Sequence, residues 1–165
     1  LAKGLFNAFN DAGADTQRAD TLLDELRQLR TAHPDDPAVR ERLASGLNNA
    51  IADAGTDTQR ADTLLDELLS LARNDRGHEA VQGVALRGCA AAFLRAAQHG
   101  EYRADIVLTA AGLVPGVPRE EETARVAMML VRAVGAAVEE APDAQKPALT
   151  DAGNQLLAAV LARFS

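Results

Sequence analysis

Residues 43–72 read LASGLNNAIADAGTDTQRADTLLDELLSLA, and residues 1–30 read LAKGLFNAFNDAGADTQRADTLLDELRQLR. The two stretches are offset by 42 residues and agree at 22 of 30 positions. A duplication that close marks the chain as a tandem repeat before any helix or strand is assigned. A third copy begins ALRGCAAAFLRAA at Ala85, with Gly88 in register with Gly4 and Gly46, and Phe93 in register with Phe9 and Ile51. A fourth, more divergent copy reads LVRAVGAAVEEAP from Leu130 and ALTDAGNQLLAAVLARF from Ala148. Divergence is expected of a terminal unit, whose outer face meets water instead of a neighbour.

Each unit reads as two helices. In the first, Leu1, Leu5, Ala8, Phe9 and Ala12 recur as Leu43, Leu47, Ala50, Ile51 and Ala54, a spacing that places all of them on one helical face. The second carries Ala19, Leu22, Leu23, Leu26 and Leu29, and its twin Ala61, Leu64, Leu65, Leu68 and Leu71. Gly13 and Gly55 supply the stop between them, since glycine accepts the left-handed conformation of a helix end. Asp15 and Asp57 are expected N-caps, and Asp36 followed by Pro37 is a helix start. Nothing reads as a strand; the apolar run around Val107 aligns with a second helix.

The expected fold is therefore all-α, an α-solenoid of about four antiparallel helix pairs. The units span approximately 1–36, 37–78, 79–117 and 118–165 of a single domain. Neither helix of a pair can hide its apolar face alone, so each hairpin must stack on the next. Because the sequence opens with Leu1 inside a repeat, a fragment of a longer chain is expected.

On Leu5, Phe9, Gly13, Ala19, Leu23, Leu26 and Pro34, returning as Leu47, Ile51, Gly55, Ala61, Leu65 and Leu68, the chain resembles tetratricopeptide-like repeats. The match is to the longer variety of the kinesin-light-chain type. It departs from that pattern by one extra residue between Gly13 and Ala19 and by alanine, Ala2 or Ala44, where an aromatic is usual. HEAT-like repeats remain an alternative. The resemblance implies a right-handed superhelix whose first helices line a concave groove, and a role as an interaction scaffold. Lys3 and Asn7 match a Lys and Asn pair with which some family members hold a peptide's terminal carboxylate; Gly46 and Gly88 occupy the remaining clamp positions.

In register, the first helices form ladders: Lys3, Ser45, Arg87 and Arg132; Asn7, Asn49, Ala91 and Ala136; Asp11, Asp53, Arg95 and Glu140. Lys3, Asn7, Asn49, Arg87 and Arg132 are the candidate peptide-binding residues. Cations neutralise a carboxylate, and Asn both donates and accepts along an extended backbone. Gly4, Gly46 and Gly88 sit mid-helix at a cost of about 1 kcal/mol each against alanine, which points to close helix packing.

Chemistry is sparse elsewhere. His33, His78 and His99 fall near helix ends without zinc-ligand spacing, so no metal or cofactor is expected. HPDDP, from His33, reads as a capped turn. Asp24 with Glu25, and Asp66 with Glu67, read as solvated carboxylates with no convergent His or Arg. Glu120, Glu121 and Glu122 complement a helix N-terminus. Cys89 stands where the other units have Leu5 and Leu47 and reads as a buried small hydrophobe. Val126, Met128, Met129 and Val131 read as packing for the last unit. No nucleophile elbow or phosphate loop is present, so no enzymatic activity is expected.

Net charge is −7 and the pI about 4.9. Such a surface repels phosphate backbones and anionic bilayers, which argues against nucleic acid and membrane partners. One cysteine cannot form an internal disulfide, and no apolar run is long enough to span a bilayer, so a cytoplasmic location is expected. Only Lys3 and Lys146 are lysines. An acidic, arginine-rich chain fits either a GC-rich coding bias or adaptation to high salt. The expected function is a protein or peptide scaffold; the alternative is end-to-end self-association through exposed repeat ends.

Overall fold

The computed structural model describes residues 16–165, of Thr16 the backbone alone. Lys3, Asn7, Gly4, Gly13 and Asp15 lie outside the described residues. The helices are α1 (Thr16–Ala32), α2 (Pro37–Asp53), α3 (Thr58–Asn74), α4 (Glu79–Gln98), α5 (Ala104–Leu113), α6 (Glu121–Glu140) and α7 (Lys146–Phe164). A 3-10 turn, Val114–Gly116, follows α5. No strand occurs among the described residues.

The boundaries are set by local chemistry. The Asp36 carboxylate accepts hydrogen bonds from the backbone N–H groups of Ala38 (2.9 Å) and Val39 (3.4 Å), and Pro37 opens α2. Asp57 accepts from the N–H of Arg60 at 2.9 Å and opens α3. Each such cap contributes about 1 kcal/mol. Between α2 and α3, Gly55 takes φ 56°, the left-handed conformation that a side chain would strain. These are the starts and stops that the repeat predicts.

Chain neighbours pack on one another, α1 on α2, α2 on α3, α3 on α4, α4 on α5, and α6 on α7, with α5 and α6 the exception. The first helices also touch in succession, α2 with α4 and α4 with α6. The pattern is that of a helical repeat with one continuous apolar core. The last unit departs from it, because α7 packs along α5 and against the 3-10 turn. Arg163 near the end of α7 secures that arrangement by donating to the Val117 carbonyl and, at 2.9 Å, to Glu79.

Helix α4 lies at the centre. Val81, Gln82, Gly83, Val84, Ala85 and Leu86 are buried in succession. Six consecutive positions cover every face of a helix, so α4 is enclosed by α2, α3, α5 and α6. Small residues make that possible. A Cβ on Gly88 would lie 2.7 Å from Leu68 Cδ2 and 3.6 Å from both Ile51 Cδ1 and Leu65 Cδ1. One on Gly46 would lie 3.3 Å from Leu23 Cδ1 and 3.4 Å from Leu26 Cδ1. Each of these glycines faces the preceding hairpin. Cys89 is fully buried, and burial pushes its thiol pKa up to about 12.

Two polar devices join successive units. The tripeptide Arg-Ala-Asp occurs at 18–20, 60–62 and 103–105. Arg60 reaches back to Asp20 at 2.5 Å, and Arg103 reaches back to Asp62 at 3.2 Å, so one ion pair recurs from unit to unit. The second device is Gln82, the one buried polar side chain among the described residues. Its Nε2 donates to the carbonyls of Ala72 (2.6 Å) and Asp75 (3.4 Å), satisfying the C-terminal end of α3 from the next hairpin.

Candidate functional site

Because α4 is enclosed, its surface is narrow. Between Val81 and Ala96 only Arg87, Ala91, Leu94 and Arg95 are not buried. Their spacing of 4, 7 and 8 residues makes a single stripe. On α2 the register-equivalent positions Ser45, Asn49, Ala52 and Asp53 are half-buried or exposed. On α6, Arg132, Ala136, Glu139 and Glu140 are exposed. The ladders read from the repeat thus run along the open stripe of three successive first helices.

The candidates differ in what they meet there. Arg87 donates to Glu122 of α6 at 2.7 Å, so its charge is already partnered across the unit boundary. Arg132 is exposed and forms no ion pair among the described residues. Asn49 is half-buried. Lys3 and Asn7 are outside the described residues.

The stripe holds a residue that the sequence did not single out. Nε and Nη1 of Arg95 are buried and have no hydrogen-bond partner among the described residues, and the same holds for Oδ1 of Asn48 on α2. A guanidinium taken out of water without an acceptor is costly, on the order of a few kcal/mol. The signal that could have found Arg95 is its break with its ladder, where the other members, Asp11, Asp53 and Glu140, are acidic.

The paired carboxylates correct one expectation. Arg27 does converge on them: Nη1 donates to Asp24 at 2.6 Å, and Nε and Nη2 donate to Glu67 at 2.8 and 2.6 Å. The Glu67 bond, then burial opposing it, then the Asp24 bond leave the Arg27 pKa raised. Arg60 holds the Asp20 carboxyl below its ordinary range, and Arg103 does the same for Asp105. These groups are structural ties between hairpins. A second correction concerns Met128 and Met129, which are 37% and 43% exposed and face water. Val126 and Val131 do pack against the core.

Two of the concavities among the described residues lie between helices away from these ion pairs. A cleft of about 530 Å³ lies between α3, α5 and the 3-10 turn, lined in part by Leu69, Arg73, Arg76, Gln82 and Thr109. A groove of about 340 Å³ runs between α6 and α7, past Val131, Gly135, Val138, Gly153 and Leu157. Among the described residues no group of three or more His, Cys, Asp or Glu side chains could hold a metal ion. No described helix is long and apolar enough to cross a membrane. No protein-family model, no curated protein and no solved structure matches the chain.

Proposed function

We propose that the chain is a tetratricopeptide-like scaffold, wound as a right-handed superhelix, that binds a carboxylate-bearing peptide along the open stripe of its first helices. It acts by binding, without catalysis. Arg95 carries this reading. Two of its guanidinium nitrogens, Nε and Nη1, are buried and lack an acceptor among the described residues, in a chain with 24 carboxylates and 17 Lys and Arg residues. An incoming carboxylate or peptide carbonyl would satisfy them with charge-assisted hydrogen bonds. Arg132, without an ion pair among the described residues, adds a cation further along the stripe, while Asn48 has an Oδ1 that lacks a donor among the described residues and could accept from an extended backbone.

The test is a panel of acidic and neutralised peptides titrated against the wild-type chain and against Arg95→Ala, Arg132→Ala and Arg87→Ala. Arg95→Ala is expected to weaken acidic-peptide binding by about tenfold to a hundredfold, the 1.5–3 kcal/mol of a charged hydrogen bond. Arg87→Ala should cost less, since Glu122 already holds that side chain. Equal binding by all variants would refute the assignment. End-to-end self-association is the competing reading, and sedimentation as a monomer over a wide concentration range removes it.

A further inference from the structure

Gly46 and Gly88, on α2 and α4, each rest on the hairpin before them. For Gly88 the seat is Leu68, Ile51 and Leu65, with Ile51 and Leu65 only 1% and 4% exposed beneath α4. The fourth unit repeats that seat. Its first helix aligns Leu130 with Leu43, which places Val138 at the position of Ile51. Its second aligns Leu156 and Leu157 with Leu64 and Leu65. Val138 and Leu157 both line the groove between α6 and α7, where Leu157 is 36% exposed. This groove is the inter-unit socket at its last occurrence, with no helix of the described chain lying in it.

We infer that the α6–α7 groove is a docking site for an amphipathic α-helix of a partner protein, one with glycine or alanine at the crossing and a basic residue beside it. The helical form and the small residue follow from continuity with the interface that the repeat already uses. At the two described contacts of this kind the occupant is a helix, seated through Gly46 or Gly88. The groove floor is also shaped for close approach: Gly135 and Gly153 line it. The charge follows from the rim. Glu139 lines the groove, and Glu140 and Asp151 stand exposed on the same hairpin. Of the cations on this hairpin, Lys146 pairs with Asp143 at 3.0 Å, Arg163 with Glu79 at 2.9 Å and Arg125 with Glu121 at 2.8 Å, which leaves Arg132 as the one without an ion pair among the described residues. This surface adjoins the stripe at Glu139 and Glu140, and Arg95 does not line it.

A suitable probe is a synthetic peptide of residues 37–53, PAVRERLASGLNNAIAD. It is a first helix with Gly46 at the crossing and Arg40 and Arg42 in its first turns. The labelled peptide is titrated with the full chain and followed by fluorescence anisotropy. Saturable one-to-one binding with a gain of helicity is expected. Gly46→Leu in the peptide should weaken it by at least about tenfold. In the chain, Gly135→Leu should do the same with no loss of thermal stability, because an added Cβ at Gly135 meets nothing within 4 Å. Arg95→Ala in the chain should leave the affinity unchanged, which separates this site from the peptide stripe. The inference is overturned by absence of binding, by binding indifferent to Gly135→Leu, or by binding lost in Arg95→Ala. It is equally overturned if the chain sediments as a dimer that Gly135→Leu dissociates, which would assign the groove to a second copy.

Discussion

Two residues carry readings that solution measurement can check. Cys89 is buried among apolar neighbours and its thiol is held near pKa 12, so almost no thiolate forms at neutral pH. A disulfide reagent at pH 8 should leave it unmodified until denaturant opens the fold; prompt labelling of the native chain would show that α4 is not enclosed. Asp20 has a folded pKa below its unfolded value because Arg60 bonds its ionised form. Its contribution is therefore complete above the unfolded carboxylate pKa of about 3.9 and is lost as pH falls through the lower folded value. The pair is half-exposed, so it contributes less than about 1 kcal/mol. Asp20→Asn should remove that contribution at pH 7 and flatten the acid limb of stability against pH. An unchanged acid limb would show that the pair is too well solvated to matter.

Glycines on different helix faces separate packing from propensity. Gly88→Ala gains up to about 1 kcal/mol of helix propensity but drives a Cβ to 2.7 Å from Leu68, with Ile51 and Leu65 close behind. Overpacking of this kind costs about 1–3 kcal/mol, so net destabilisation is expected in urea melts. Gly135→Ala meets open space and should stabilise α6 by about 1 kcal/mol. If both substitutions stabilise, the close approach of α4 to α3 is not what selects glycine. The helices themselves were legible, because caps such as Asp36-Pro37 and stripes such as Leu43, Leu47, Ala50 and Ile51 act within a turn or two of chain. The ties between helices were less so. The recurring Arg-Ala-Asp tripeptide was visible as a repeat, yet its pairing of Arg60 with Asp20 depends on how far α3 lies from α1.

At the scale of the molecule, the net charge of −7 is offset where it counts. Asp20, Asp24, Asp62, Glu67, Asp75 and Glu122 are all bonded to arginines, several of them across unit boundaries. Carboxylates neutralised in this way do not need molar salt to suppress their repulsion. Circular dichroism at roughly 10 mM and 1 M ionic strength, where screening differs severalfold, should report the same helix content. Melting at the lower value would show that the acidic surface is an adaptation to salt. By itself the sequence determined that the chain is a helical repeat, where most helices begin and end, and which face of each is apolar. Those properties depend on neighbours within a turn of helix or on the 42-residue period. Only the tertiary structure decided that α4 is enclosed on all but one narrow stripe, that Arg27 gathers Asp24 and Glu67, that two nitrogens of the half-buried Arg95 find no acceptor among the described residues, and that α7 turns onto α5 and leaves a socket open beside α6. Each of these requires groups distant in the chain to come within a few ångströms, and that distance is set by how whole helices interlock, which the period of a pattern does not encode.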